Sequence, residues 1–209
     1  MRVNRILSPV TALGPGRRVA VWVQGCGIGC HGCASLDTWS ADAGVEMSVP
    51  EVAERVLRRI RDGNLDGLTI TGGEPLDQAP AVVELATAIA ETAPACDVLL
   101  FTGYSETAAR RRAPELFDLV DATVAGPYRA DRARSGPLVA SDNQVLGLHT
   151  ERARLLYSDL AGPGRGPIQL AADDGDLVLV GMPDAGDLDR LRRLLADRGV
   201  DLEGTSWKP

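Results

Sequence analysis

The feature that most restricts this chain is a strand that runs straight into a cluster of thiols. The stretch "RVAVWVQ" (Arg18 to Gln24) is rich in β-branched and aromatic residues and reads as a buried strand. Directly after it come Cys26, Cys30 and Cys33, spaced Cys-x3-Cys-x2-Cys among Gly25, Gly27, Gly29, Gly32 and Ala34. Small residues let a loop wrap closely round a bound group and turn backbone N–H donors toward its anionic atoms. Structural zinc takes four closed ligands. His31 is adjacent to Cys30, and neighbouring residues rarely both reach one tetrahedral ion. The remaining cysteine, Cys96, precedes the strand that starts at Asp97 and so belongs at the amino end of a sheet. The thiol loop belongs at the carboxyl end, and a short strand of five residues spans roughly 17 Å. Cys96 therefore reads as a buried core thiol. An odd number of clustered cysteines in a reducing compartment disfavours a disulfide. What remains is an iron–sulfur cluster held by three thiolates, with one iron left open for chemistry.

The rest of the chain alternates strand and helix. "SVPEVAERVLRRIRDG" has Ser48 as N-cap, Pro50 in the first turn and an apolar stripe at Val52, Val56, Leu57 and Ile60, with Gly63 as its stop. "GLTIT" (Gly67 to Thr71), "DVLLFTG" (Asp97 to Gly103) and "LVDATVAG" (Leu119 to Gly126) read as strands. "APAVVELATAIAETA" and "SETAARRRA" read as the helices between them, with Arg110 to Arg112 on a solvated face. This order predicts parallel pairing through right-handed crossovers. Residues 126–143 read as a long loop. Beyond Thr150, "RARLLYS" and "PIQLAADDGDLVLVGM" read as two or three strands, the last pair joined by an Asp-Asp-Gly turn. "GPGRGP" (Gly162 to Pro167) reads as a connector, and "GDLDRLRRLLADRG" as a final amphipathic helix closed by Gly199.

A length of 209 residues suits one domain with a small extension. A net charge of −7 argues against a nucleic-acid partner bound by broad electrostatics. No apolar run of about 18 residues appears, so no membrane span is expected. The N-terminus lacks a secretory pattern, and a cytoplasmic protein is expected.

Taken together, the motifs carry a resemblance. "GCGIGCHGCASLDTW" is similar to the radical S-adenosylmethionine enzymes, and more narrowly to the activating proteins of anaerobic ribonucleotide reductase, in which Gly rather than an aromatic residue precedes the third cysteine, as Gly32 does here. "TITGGEPLDQ" (Thr69 to Gln78) resembles that family's Gly-Gly-Glu motif, and "LLFTGY" (Leu99 to Tyr104) the end of its third strand. "VDATVAGPYRADR" and "SDNQVLGL", within Val120 to Leu148, resemble its Gly-Pro-aromatic and Asn-Gln segments. The resemblance covers residues 1–150, the expected core, and leaves 151–209 as an expected C-terminal α+β extension packed on it.

The resemblance implies an α/β fold, an incomplete parallel (β/α)6-type barrel of about six strands with the site at its carboxyl-end mouth. It implies a [4Fe-4S] cluster on Cys26, Cys30 and Cys33, and S-adenosylmethionine on the open iron. Reductive cleavage of that sulfonium yields a 5′-deoxyadenosyl radical that abstracts hydrogen, and the cofactors supply the hard chemistry. Gly32, Cys33 and Ala34 are expected beside the adenine. Thr71, Gly72, Gly73 and Glu74 are expected near the ligand's ammonium group, which a carbonyl or Glu74 accepts from. Thr102, Gly103 and Tyr104 are expected at the sulfonium ligand or the substrate. Asn143 and Gln144 either contact the ribose or substrate, or satisfy loop backbone. Asp121 reads as structural, Trp39 as a cover on the thiol loop, Tyr128 as a cleft or packing residue, and His31 and His149 as structural or solvated. The expected partners are a protein or peptide substrate and an external one-electron donor of flavodoxin or ferredoxin type. The leading role is a glycyl-radical activase. The rivals are modification of a peptide or small metabolite, including deazaguanine synthase-like chemistry on a pterin, and a non-catalytic iron–sulfur or zinc module.

Overall fold

A computed structural model describes residues 1–134, 136–160, 162, 164–173, 175–184 and 186–200. The elements are β1 (Arg2–Val10), β2 (Arg18–Val23), β3 (Val45–Glu46), α1 (Val49–Gly63), β4 (Gly67–Gly72), α2 (Ala79–Thr92) and β5 (Asp97–Thr102). They continue with α3 (Glu106–Arg112), β6 (Ala122–Ala125), β7 (Val145–Leu148), α4 (Glu151–Leu156), β8 (Ile168–Asp173), β9 (Asp176–Gly181) and α5 (Asp187–Ala196). Residues 201–209 of the expected extension, Asp174 of the expected turn and Pro163 of the expected connector lie outside the described residues, as does Ser135 in the long loop.

Seven strands form one mixed sheet in the order β3-β1-β2-β4-β5-β6-β7. Strands β2, β4, β5 and β6 are mutually parallel. The margins are antiparallel: β1 to β2 and β3, and β7 to β6. The expected run of about six parallel strands is thus four. The reason is that β1 returns to β2 through a short connection, which only an antiparallel pair permits, while helical crossovers serve the parallel ones.

Both faces of the sheet are covered, which is why β2 is buried at every position. Val19, Val21 and Val23 face one way, into a core with Val52, Val56 and Ile60 of α1 and Val82, Leu85 and Ile89 of α2. Ala20 and Trp22 face the other way, against Val178 and Val180 of β9. Leu99, Ala122 and Val124 on that second face meet Leu138, Ala153 and Tyr157. Helix α1 starts as expected, with the Ser48 side chain accepting from the Glu51 N–H. It ends one residue later than expected: Gly63 is still helical, and Asn64 takes the left-handed turn at φ 46°.

Among the segments that depart from the sequence reading, β1 and α4 matter most for the core. The N-terminal β1 has no helical or alternating polar signature, yet it forms the bridge between β2 and β3. "RARLLYS" is helical, not a strand: the Thr150 side chain accepts from the Ala153 N–H, and Ala153 and Tyr157 bury one face four residues apart.

The amino ends of the parallel strands are pinned by a buried ion pair. Arg18, fully buried, reaches Asp97 with both terminal nitrogens at 2.7 and 2.9 Å, the Leu68 carbonyl at 2.7 Å and Thr69 Oγ1 at 2.7 Å. The Tyr157 hydroxyl donates to the same Asp97 carboxylate, which ties α4 to the core. Asp121, read as structural, holds Thr150 and Arg152 and accepts from the Val98 N–H. The hairpin of β8 and β9 is antiparallel. It is clamped to β1 by Gln169, which accepts from the Thr11 N–H at 2.8 Å and donates to the Pro9 carbonyl at 2.8 Å.

Candidate functional site

The thiol loop leaves β2 at its carboxyl end and is closed at its base by the chain itself. The Gly25 N–H donates to the Thr38 carbonyl at 2.8 Å, and the Cys26 N–H to the Trp39 carbonyl at 3.1 Å. The Gln24 side chain donates to the Asp37 and Ser40 carbonyls at 3.0 and 2.8 Å. The next strand end is stitched to this base. Gly73 N–H donates to the Val23 carbonyl at 2.9 Å, and Glu74 N–H to the Gly25 carbonyl at 2.8 Å. The approach is so close that a Cβ on Gly73 would stand 2.1 Å from the Gly25 carbonyl oxygen. Gly72, at φ 108°, would place a Cβ 2.5 Å from the Val23 nitrogen. These two glycines are therefore required by backbone packing.

A cavity of about 930 Å³ opens above the carboxyl ends of the parallel strands. Cys26, Cys30 and Cys33 line it, with Gly32 and Ala34 of the same loop. Strand ends contribute Thr71, Gly72, Gly73, Glu74, Thr102 and Gly103. Its floor is apolar, with Trp22, Phe101 and Val124 from β2, β5 and β6. The structure thus gathers the expected site residues except Asn143 and Tyr104. The Asn143 side chain donates to the Pro127 carbonyl at 2.7 Å, and its Oδ1 is buried without a partner. Gln144 does line the cavity, but its Oε1 accepts from Ala140 and Ser141 N–H groups at 2.9 and 3.1 Å, so it satisfies loop backbone.

Glu74 is the organiser of the strand ends. It is 1% exposed. Its Oε1 accepts from the Leu76 N–H at 2.9 Å and the Thr102 hydroxyl at 2.7 Å, and its Oε2 from the Gly103 N–H at 2.7 Å. Burial pushes its carboxyl up from the ordinary range, against these three donors. A carboxylate has about four acceptor positions. Only one on Oε2 remains for a ligand, so Glu74 acts first on the scaffold.

Three residues that the sequence reading did not single out complete the frame. Asp77 accepts from the Gly27 N–H and from the Tyr104 hydroxyl, both at 2.7 Å, and so links the thiol loop to the segment after β5. Gln78 donates to the Arg2 and Gln24 carbonyls at 3.1 and 3.0 Å. Arg5 pairs with Asp37 beside the loop's return. Asp77 and Gln78 stand inside the Gly-Gly-Glu segment, which is the one signal that marks them. Tyr128 lines the cavity.

The donor set fits an iron–sulfur cluster. All three loop thiols are half-exposed toward one cavity, while Cys96 is buried and donates to the Leu65 carbonyl at 3.6 Å. His31 is exposed and does not line the cavity. Burial pushes the Cys30 thiol up; the Tyr128 backbone opposes this, and Cys33, Cys26 and Glu74 add to it. Thiols held together in this way need a cationic group to become thiolates. The Ser35 N–H points at Cys33 Sγ at 3.4 Å, a donor of the kind that bridged sulfur sites use. Among the described residues no three Cys, His, Asp or Glu side chains converge as a single ion requires. A four-iron cluster accepts ligands that stay apart, because its irons occupy separate corners.

The comparisons with known proteins agree with this geometry. A family pattern described as "4Fe-4S single cluster domain" matches residues 12–147. The anaerobic ribonucleoside-triphosphate reductase-activating protein of Vibrio cholerae is 30% identical over 138 residues, 64% of this chain and 88% of that protein. The protein of the same name from Enterobacteria phage T4 is 30% identical over 153 residues, 72% of this chain and 96% of its own length. The pyruvate formate-lyase-activating enzyme of Listeria monocytogenes is 35% identical over 88 residues, 41% of this chain and 36% of that enzyme. The chain belongs to the radical S-adenosylmethionine activating proteins that carry a single 4Fe-4S cluster.

Proposed function

We propose that this protein is a glycyl-radical activase, which uses a [4Fe-4S] cluster and S-adenosylmethionine to take hydrogen from a glycine Cα of a partner protein. When bound, the cluster supplies the electron that cleaves the sulfonium to the 5′-deoxyadenosyl radical. Cys26, Cys30 and Cys33 hold the cluster. The Gly25, Gly72 and Gly73 backbone brings β4 within reach of it, and the loop residues Gly32 and Ala34 border the nucleoside. Thr71, Thr102 and the remaining acceptor on Glu74 face the amino-acid part of the ligand, and Trp22 and Phe101 keep water from the floor. Asn143 acts from behind the wall by holding the Pro127 carbonyl. The reading includes a core of residues 1–150 that curves as an incomplete barrel, an extension from 151, a flavodoxin- or ferredoxin-type donor and a cytoplasmic setting.

One observation carries this proposal: three half-exposed thiols and the Gly-Gly-Glu strand end meet at one cavity, through the Glu74 N–H bond to Gly25. Anaerobic reconstitution is expected to load about four irons per chain, and reductant plus S-adenosylmethionine to yield 5′-deoxyadenosine by chromatography. Cys30→Ala is expected to abolish the product while circular dichroism stays unchanged. Iron loading with no 5′-deoxyadenosine would show an electron carrier instead.

A further inference from the structure

The hairpin of β8 and β9 belongs to the part of the chain that follows the matched family pattern, which ends at residue 147. Its two strands pair only with each other, so among the described residues the outer edge of β9 has no strand partner. No described hydrogen bond closes that edge from another element. Leu177, Val178, Leu179, Val180 and Gly181 all line the cavity, whereas no residue of β8 does. Successive strand residues point to opposite faces. A strand that shows both sets to one cavity borders it with its edge. That cavity is the one the three thiols line. An open edge of this kind is a template for another strand. Its position is fixed: Val178 and Val180 are packed on Trp22, and Gln169 clamps β8 to β1.

We infer that β9 is a strand-addition site for an extended peptide segment of the substrate protein, which pairs along Leu177–Gly181 and so carries its reacting glycine toward the thiol loop. This rests on the reading of the chain as an activase of a protein substrate. Backbone pairing supplies affinity that tolerates sequence, and it holds a Cα at a set depth. Charge selects one end of the segment. Asp176 is exposed at the start of β9, on a chain of net charge −7. The segment is therefore basic at the end that meets Asp176.

The probe is a synthetic peptide, Arg-Val-Thr-Val-Gly-Val-Thr-Val-Arg, added to the full-length, cluster-loaded protein under hydrogen exchange. Amides of 177–181 are expected to slow, with no change in β3 or β7 at the margins of the main sheet. Two forms of the peptide, N-methylated on opposite sets of alternate residues, separate backbone pairing from side-chain binding. A strand pairs through one set only, so one form is expected to bind about tenfold or more weaker and the other to bind as the parent does. Equal binding by both forms, loss by both, no protection of β9, or protection that rises with protein concentration without peptide would each overturn the proposal; the last would mean that the edge pairs with a second copy. Exchange is read without turnover, so the proposal stands or falls separately from the activase reading, which fails only if no 5′-deoxyadenosine forms.

Discussion

At Gly73 there is no room for a methyl group. Its missing Cβ would overlap the Gly25 carbonyl oxygen at 2.1 Å, and both partners are backbone. Gly73→Ala is expected to destabilise the fold by about 1–3 kcal/mol, as overpacking does, and to lower bound iron after reconstitution, measured by iron assay. Asp77 gives a second test at this scale. Its hydrogen bond is the main cause that pushes the Tyr104 phenol up to about 12, and burial adds to it. That bond stabilises the fold in full below the ordinary value of 10 and is lost as pH rises through about 12. In Asp77→Asn, a near-ultraviolet absorbance titration is expected to find the phenol back toward 10. The cysteines and the Gly-Gly-Glu segment were legible because each is a run of residue types at fixed spacing. The work of Glu74 was not. Its partners Thr102 and Gly103 lie 28 and 29 residues away, and only the parallel register of β4 and β5 brings them together.

Among the elements, the buried pair at the strand starts is the contact whose one-sided loss leaves a charge buried. Removing the carboxylate leaves the Arg18 guanidinium buried and unpaired, so Asp97→Ala is expected to cost about 3–5 kcal/mol in denaturant unfolding. The same variant also strands the Tyr157 hydroxyl, which loosens α4. Helix α4 shows why local pattern failed beyond Thr150. "RARLLYS" mixes long and charged residues and gives no clear period, while the capping signal, Thr150 three residues before Ala153, is short. The burial of Tyr157 decides the matter, and that depends on Asp97, 60 residues earlier. Helix α1 was legible in detail because its cap, its first-turn proline and its apolar stripe all stand within one stretch.

Over the whole molecule, the sheet's two faces have different tenants. Helices α1 and α2 cover one, and the β8–β9 hairpin covers part of the other. The hairpin's contact with the core rests on few side chains, of which Val178 is 6% exposed. Val178→Asp is expected to speed amide exchange throughout β8 and β9 and to leave β4 and β5 protected, because the main sheet does not depend on the hairpin for its pairing. The closed base of the thiol loop has one more consequence, which concerns how the protein matures. Small zinc domains often fold only when metal arrives, because the ion itself closes the loop. Here Gly25, Cys26 and Gln24 join the two ends of the loop through Asp37, Thr38, Trp39 and Ser40. Most of the closure entropy is thus met by the polypeptide. These bonds use no thiol, so the base of the loop is expected to stay closed when iron is removed by a chelator, and a chain that loses its cluster to oxygen is expected to be reloaded rather than replaced.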